Sequence, residues 1–243
     1  MFAVMGPRTR ELLQELTDSD LSNEAFPFAT SREIDLGYAL VRATRITYVG
    51  ELGWELLVPS EMAAYVYDLL TESGRGFELV HAGYHALNSL RLEKAYRSWG
   101  HDIGPDDTPL ETGLGFAVAW DTDFIGREAL LAQRESGVRS RLIQLLLGDP
   151  DAMAYHDEPV LRDGVIVGKV TSATYGHTLG ATVALATVHN AGEIVKSEWL
   201  TSGSWSVVIA GNNVGASLSL RPLYDPASDR PHGRLPSALR ITD

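Results

Sequence analysis

Glu135-Ser136-Gly137-Val138-Arg139-Ser140-Arg141-Leu142-Ile143-Gln144-Leu145-Leu146-Leu147 divides the sequence into two halves of different character. Glu135-Ser136-Gly137 follows a short helical segment, Gly126 to Arg134, and is the kind of polar joint at which domains meet. Residues 141–147 then open a half in which only strands are legible. Residues 165–173, 181–188 and 205–210 follow, separated by turn signals such as Arg162-Asp163-Gly164 and Gly211-Asn212-Asn213. This half predicts an all-β domain, a small barrel or a sandwich.

Ahead of the joint, strands alternate with helices. Phe2 to Met5 is strand-like, and Pro7 at a first helical position with Leu12, Leu13 and Leu16 at helical spacing predicts a helix over 7–17. Asp18 to Asn23 is a polar loop. Residues 38–48, rich in Val, Ile, Thr and Tyr, and the alternating Trp54, Leu56 and Val58 predict two adjacent strands joined through Gly50 to Gly53. Ser60 caps a helix running to about Leu70, Phe77 to Val80 reads as a further strand, and residues 82–93 read as a helix through Ala86, Leu87 and Leu90. The order shows no doubly wound sheet, so the fold class is α+β, a layered domain followed by an all-β one. The expected domains are 1–136 and 137–232, with a tail over 233–243.

Composition removes several function classes. A net charge of -12 over 243 residues argues against a nucleic-acid surface, which needs a clustered excess of Lys and Arg. With no cysteine there is no disulfide framework, thiolate metal site or cysteine nucleophile. The seven histidines never fall at metal-ligand spacing with a carboxylate, so no metal site is expected. Phosphate-cradling, dinucleotide-binding and serine-elbow glycine motifs are absent. The first residues lack the basic and apolar regions of a signal peptide and no apolar run approaches membrane-spanning length, so the cytoplasm is the expected compartment and no membrane partner is expected. The chain starts directly on a strand-like segment, as though cut from something longer.

Two stretches carry candidate chemistry. Leu90 to Phe116 packs Arg91, Glu93, Lys94 and Arg97, the rings of Tyr96 and Trp99, and the carboxylates Asp102, Asp106, Asp107 and Glu111 into one segment. Cations, flat rings and carboxylates together suit an amphipathic organic ligand, the alternative being a helix end and a solvated loop. Tyr48-Val49-Gly50-Glu51-Leu52-Gly53 sets a carboxylate between two glycines, where the backbone turns tightly and can approach a ligand. A third stretch, Tyr175-Gly176-His177-Thr178-Leu179-Gly180, reads as a tight hairpin.

Arg45 to Leu56, Ser89 to Phe116, Asp123-Phe124-Ile125-Gly126-Arg127, Thr174 to Gly180 and Tyr224-Asp225-Pro226 occur in that order. Together they resemble the tetrahydrofolate-binding part of dimethylglycine and sarcosine dehydrogenases, which is similar to the aminomethyltransferase (T-protein) of the glycine cleavage system. The resemblance runs from Gly6 to about Arg230. It implies a folate-binding α/β sandwich-type domain, present in part, followed by a carboxyl-terminal β-barrel. It implies transfer of a methylene or aminomethyl unit to tetrahydrofolate in the catabolism of methylamines derived from glycine betaine or choline.

Under this resemblance Glu51 binds the pterin, whose ring N–H and amino group form a donor pair that a carboxylate accepts. Tyr48, Tyr96 and Trp99 are the rings to pack against the ligand. Arg91, with Lys94 and Arg97, supplies cations for the glutamyl tail, and Arg221 or Arg230 contributes from the barrel domain. The T-protein carries a further arginine where Leu87 stands here. The resemblance also places the assisting acid before residue 1, and FAD in a domain earlier still. No catalytic residue is therefore assigned, the chain alone is expected to be inactive, and a missing amino-terminal or flavin part is an expected partner beside folate and the one-carbon unit. The rival reading is a non-catalytic folate-binding, regulatory or structural module that has lost its acid.

Overall fold

A computed structural model describes residues 1–234; of the expected tail over 233–243, residues 235–243 lie outside the described residues. The chain packs as two compact units, Met1–Leu87 with the stretch from Asp225, and Asn88–Tyr224.

The first unit is a four-stranded antiparallel sheet in the order β1-β4-β3-β2, built from β1 (Phe2–Met5), β2 (Ser31–Leu36), β3 (Ala39–Thr44) and β4 (Gly53–Leu57). Alternation along β3 buries Ala39, Val41 and Ala43 and leaves Leu40 and Arg42 in water, so one face alone carries the core. The helices α1 (Thr9–Gln14) and α2 (Ala63–Gly74) contribute Leu12, Leu13, Val66 and Leu70 to that core around Trp54, which is wholly buried and meets Phe26 edge-on at 6.0 Å.

The helix expected over 7–17 is shorter because Gln14 ends it. Its side-chain amide donates to the carbonyls of Thr17 and Ser19 and accepts from Leu21 N, tying the following loop into a reversal. Phe77 to Val80, expected as a strand, is instead the end of a helix. A 3-10 turn over Arg75–Phe77 follows α2, Glu78 takes a left-handed φ of 58°, and Leu79 N closes back on the Gly74 carbonyl at 3.0 Å. The apolar pair Phe77 and Leu79 packs against the core from that turn, which is why the residues mimic a buried strand. Residues 45–48 leave the sheet after Thr44, and β2, with only Ile34 and Leu36 buried, is the strand of this unit that sequence alone missed.

The second unit opens within α3 (Tyr84–Glu93), passes α4 (Arg127–Ser136) and reaches a closed six-stranded barrel in the order β10-β5-β8-β7-β6-β9. The strands are β5 (Ser140–Leu147), β6 (Pro159–Arg162), β7 (Val165–Gly176), β8 (Ala181–His189), β9 (Trp205–Ile209) and β10 (Asn212–Ser219), with α5 (Ser197–Thr201) between β8 and β9. The expected barrel is therefore present. Asp163-Gly164 and Ala210-Gly211, all at positive φ, make the tight turns of the β6–β7 and β9–β10 hairpins that the sequence signals indicated. Ile143, Leu145, Leu147, Val160, Val170, Ala184, Ala186, Val188 and Val207 fill the interior, with Trp205 and Leu200.

Candidate functional site

In the first unit, Thr47 Oγ1 accepts Val49 N at 3.2 Å and Gly50 N at 3.1 Å, folding the segment after β3 into a turn. Gly50 has a φ of 80°, and at Gly53 an added Cβ would stand 2.8 Å from the Val4 carbonyl, so both glycines are dictated by backbone geometry. Glu51 sits between them with its side chain only 15% exposed, and Tyr48 is half-buried in the same turn. The Glu51 carboxylate meets Arg230 Nη1 at 3.2 Å and 3.4 Å through its two oxygens.

The segment that delivers Arg230 is itself ordered within this unit. Asp225 accepts Asp229 N at 3.0 Å and Arg230 N at 3.2 Å, and His232 stacks on Phe28 at 4.6 Å. Arg45, 1% exposed, donates to the carbonyls of Phe26 and Pro231 and to Asn23, and lies over Trp54 at 5.6 Å. Burial lowers the pKa of Arg45, the largest effect on it. Sequence reading missed Arg45 as a structural anchor, and it named Arg230 among cations expected from the barrel domain. Arg230 belongs to the first unit, at the Glu51 carboxylate.

In the second unit, α3 ends in a cluster of buried polar residues. Arg91, 3% exposed, donates from Nη1 to Asp102 Oδ2 at 2.5 Å and to the Tyr96 carbonyl at 2.9 Å, from Nη2 to Ser172 at 2.9 Å and from Nε to Asn88 at 2.8 Å. Asp102 also accepts Ser98 N at 2.8 Å and Thr171 Oγ1 at 2.7 Å. This network closes the loop from Tyr96 to Ile103, in which Gly100 N bonds the Ile103 carbonyl at 2.8 Å and Trp99 stands 69% exposed. Tyr96 is half-buried in the same loop and Lys94 is fully buried. The Arg91 guanidinium thus serves the protein's own loop, and its hydrogen bonds account for its position without an outside ligand.

Glu93, Asp107 and Glu111 of the segment have structural partners too. The Glu93 carboxylate accepts Thr178 N at 2.7 Å and Leu179 N at 3.0 Å, holding the β7–β8 hairpin loop whose residues Tyr175 to Gly180 form the expected hairpin. Gln144 on β5 donates to the Leu92 and Glu93 carbonyls, satisfying the end of α3. Asp107 accepts Gly104 N at 2.7 Å and Glu111 accepts Thr108 N at 3.1 Å, each fixing a turn. The structure therefore gathers Glu51 and Tyr48 in one unit, and Arg91, Tyr96 and Trp99 in the other. Among the described residues no group of three or more His, Asp or Glu could hold a metal ion, and no helix is long and apolar enough to cross a membrane.

Two family models match along the chain. The GCVT N-terminal domain model matches residues 1–122, and the Glycine cleavage T-protein C-terminal barrel domain model matches residues 140–225. Human sarcosine dehydrogenase, a mitochondrial protein, is 40% identical over 236 residues, covering 96% of this chain and 26% of that protein. The mitochondrial pyruvate dehydrogenase phosphatase regulatory subunit of Mus musculus is 36% identical over 233 residues, covering 90% of this chain and 26% of that protein. The chain thus spans about a quarter of the length of these curated relatives. The crystal structure of the glycine cleavage system aminomethyltransferase T from Bartonella henselae shares the fold with a TM-score of 0.75 at 24% identity, over 91% of this chain and 58% of that one. With one domain model covering the layered half and the second covering the barrel, the chain belongs to the glycine cleavage T-protein family.

Proposed function

We propose that the chain is a tetrahydrofolate-dependent one-carbon transfer module of a sarcosine or dimethylglycine dehydrogenase-like enzyme, acting on methylamines of the kind derived from glycine betaine or choline. The observation that carries this reading is the family match across both halves, which includes the turn bearing Glu51. In this reading Glu51 accepts the pterin donor pair, and its half-buried position strengthens such charge-assisted bonds. Tyr48, Tyr96 and Trp99 are the rings available to the ligand. Arg91 acts indirectly, by holding the loop that carries Tyr96 and Trp99. No residue is assigned as catalytic. The 1–136 and 137–232 division of the chain and a cytoplasmic site of action belong to the same proposal.

Calorimetric titration of the protein with tetrahydrofolate tests it. Saturable binding that weakens in Glu51→Ala is expected, whereas binding unchanged by that substitution would remove the carboxylate from the site. A second reading, a non-catalytic folate-binding or regulatory module, is favoured by the relative that is a regulatory subunit. Folate binding without methylene transfer, measured in the full-length protein, would select it.

A further inference from the structure

One corner of the barrel is left unpaired by its strands. β10 pairs with β5 only from Ala216↔Leu147 to Ser219↔Gln144, while β5 continues to Ser140 and keeps β8 beside it up to Ser140↔His189. The first residues of β5 thus lack a strand on one side. The turn around residues 108–115 takes part of that place, since Leu142 N donates to the Glu111 carbonyl at 2.9 Å. A notch of about 40 Å³ remains, lined by Arg97, Gly113, Arg141, Gln144 and Arg221 among others, with no carboxylate in its wall.

Arg97 and Arg141 enter the notch as clamps on the turn. Arg97 donates to the Thr112 carbonyl at 3.0 Å and 2.8 Å and to the Ala95 carbonyl at 2.8 Å, and Arg141 Nη1 donates to the Leu110 carbonyl. Gly113, at a φ of +73°, leaves open the space on which they converge. A Cβ there would stand 2.8 Å from Arg97 Nη2 and 3.4 Å from Arg141 Nη2. Among the described residues Arg141 forms no ion pair, and its Nε and Nη2 donate to no protein group. Burial lowers the pKa of both guanidiniums, and that of Arg97 is lowered further by the charge on Arg141, with Asp102 opposing. Positive charge is concentrated here in a protein whose net charge is -12.

A guanidinium edge with two adjacent donors matches a carboxylate, which accepts both in parallel. The notch exceeds the roughly 10–15 Å³ that a water needs, which suits a carboxylate group with the rest of its molecule at the exposed mouth beside Arg221. We propose that this notch binds the carboxylate of a small organic acid, with the Nε and Nη2 edge of Arg141 as the bidentate donor and Arg97 and Arg221 supplying charge. The proposal does not rest on the folate reading: its bidentate donor, Arg141, has no part in that reading, although the family resemblance counts Arg97 and Arg221 among the cations for the glutamyl tail, and malonate as the probe carries no pterin.

The test is a titration of the full chain with malonate at fixed ionic strength, followed by thermal shift and calorimetry, with chloride and inorganic phosphate as comparison anions. A saturable, one-site rise in Tm with malonate is expected. Arg141→Gln is expected to weaken binding roughly tenfold or more, as loss of a charged donor pair does, with partial recovery in Arg141→Lys. Arg221→Glu places a competing carboxylate on an exposed side chain at the mouth and should abolish binding without disturbing the fold. Arg42→Gln, on the other unit, should leave binding unchanged. A response that does not saturate, a preference for phosphate over malonate, or equal affinity in Arg221→Glu would overturn the proposal.

Discussion

Arg91 Nη1 stands 2.5 Å from Asp102 Oδ2, and neither side chain reaches more than 3% exposure. Burying two charges is costly, and the pair is tolerated because every oxygen of Asp102 and several nitrogens of Arg91 have further partners. Removing one member strands the other. Asp102→Ala is therefore expected to lower stability by about 3–5 kcal/mol, measured by chemical denaturation. The double variant Arg91→Met with Asp102→Leu is expected to recover much of that loss, since an apolar pair of similar volume leaves no charge unpaired.

Glu93 links the end of α3 to the loop of the β7–β8 hairpin by accepting Thr178 N and Leu179 N at one oxygen. Glu93→Ala should cost about 2–3 kcal/mol, the range for losing hydrogen bonds to a charged acceptor. Amide exchange at Thr178 and Leu179 should accelerate more than at the barrel strands. Uniform acceleration across the barrel would show instead that Glu93 acts on global stability alone.

The Glu51 and Arg230 pair separates stability from binding. Both side chains are partly exposed, 15% and 27%, so breaking the pair by Glu51→Gln or Arg230→Met should change stability by less than about 1 kcal/mol. Folate affinity should nonetheless fall by about 10–100-fold in Glu51→Gln, because the amide offers one acceptor and no charge. Denaturation and titration of the same two variants check both halves of the statement.

The Asp163 carboxylate has a pKa below its ordinary value, chiefly because Ser204 N donates to it, with Ser204 Oγ and Arg162 adding to the effect against desolvation. A carboxylate whose pKa falls on folding contributes stability that is present above the unfolded-state pKa and is lost as pH drops through the lower folded-state value. Part of the acid sensitivity below pH 3.8 is thus assigned to this turn. Asp163→Asn should give a flatter stability profile in that acid range and little change in the slope near neutrality, as read from Tm against pH.

What the sequence disclosed follows the physics of each segment. β5 and β8, with runs such as Leu142-Ile143 and Val183-Ala184-Leu185, announce themselves because both are buried almost throughout. β10, Asn212 to Ser219, did not, because its small and polar residues carry no alternation of large apolar side chains, and β6 is only four residues long and begins with proline. At the candidate site the turn glycines around Glu51 were legible, since their backbone demands leave a trace in residue type. The burial of Arg91 was not, because its partners Asp102 and Ser172 are distant in sequence and each alone looks like a surface residue.

The ring of strands closes through β10 against β5 and β9 against β6, segments far apart along the chain. The β6–β9 seam needs the chain through Val207 and the β5–β10 seam needs it through Ser219, and each must overcome the entropy of closing a long loop first. During synthesis the β7–β8 hairpin can assemble locally while β5 waits with one bare edge, exposed to any other extended chain nearby. Folding of this half is thus expected to be slow and late, with the notch at Arg141 among the last places to take its final shape.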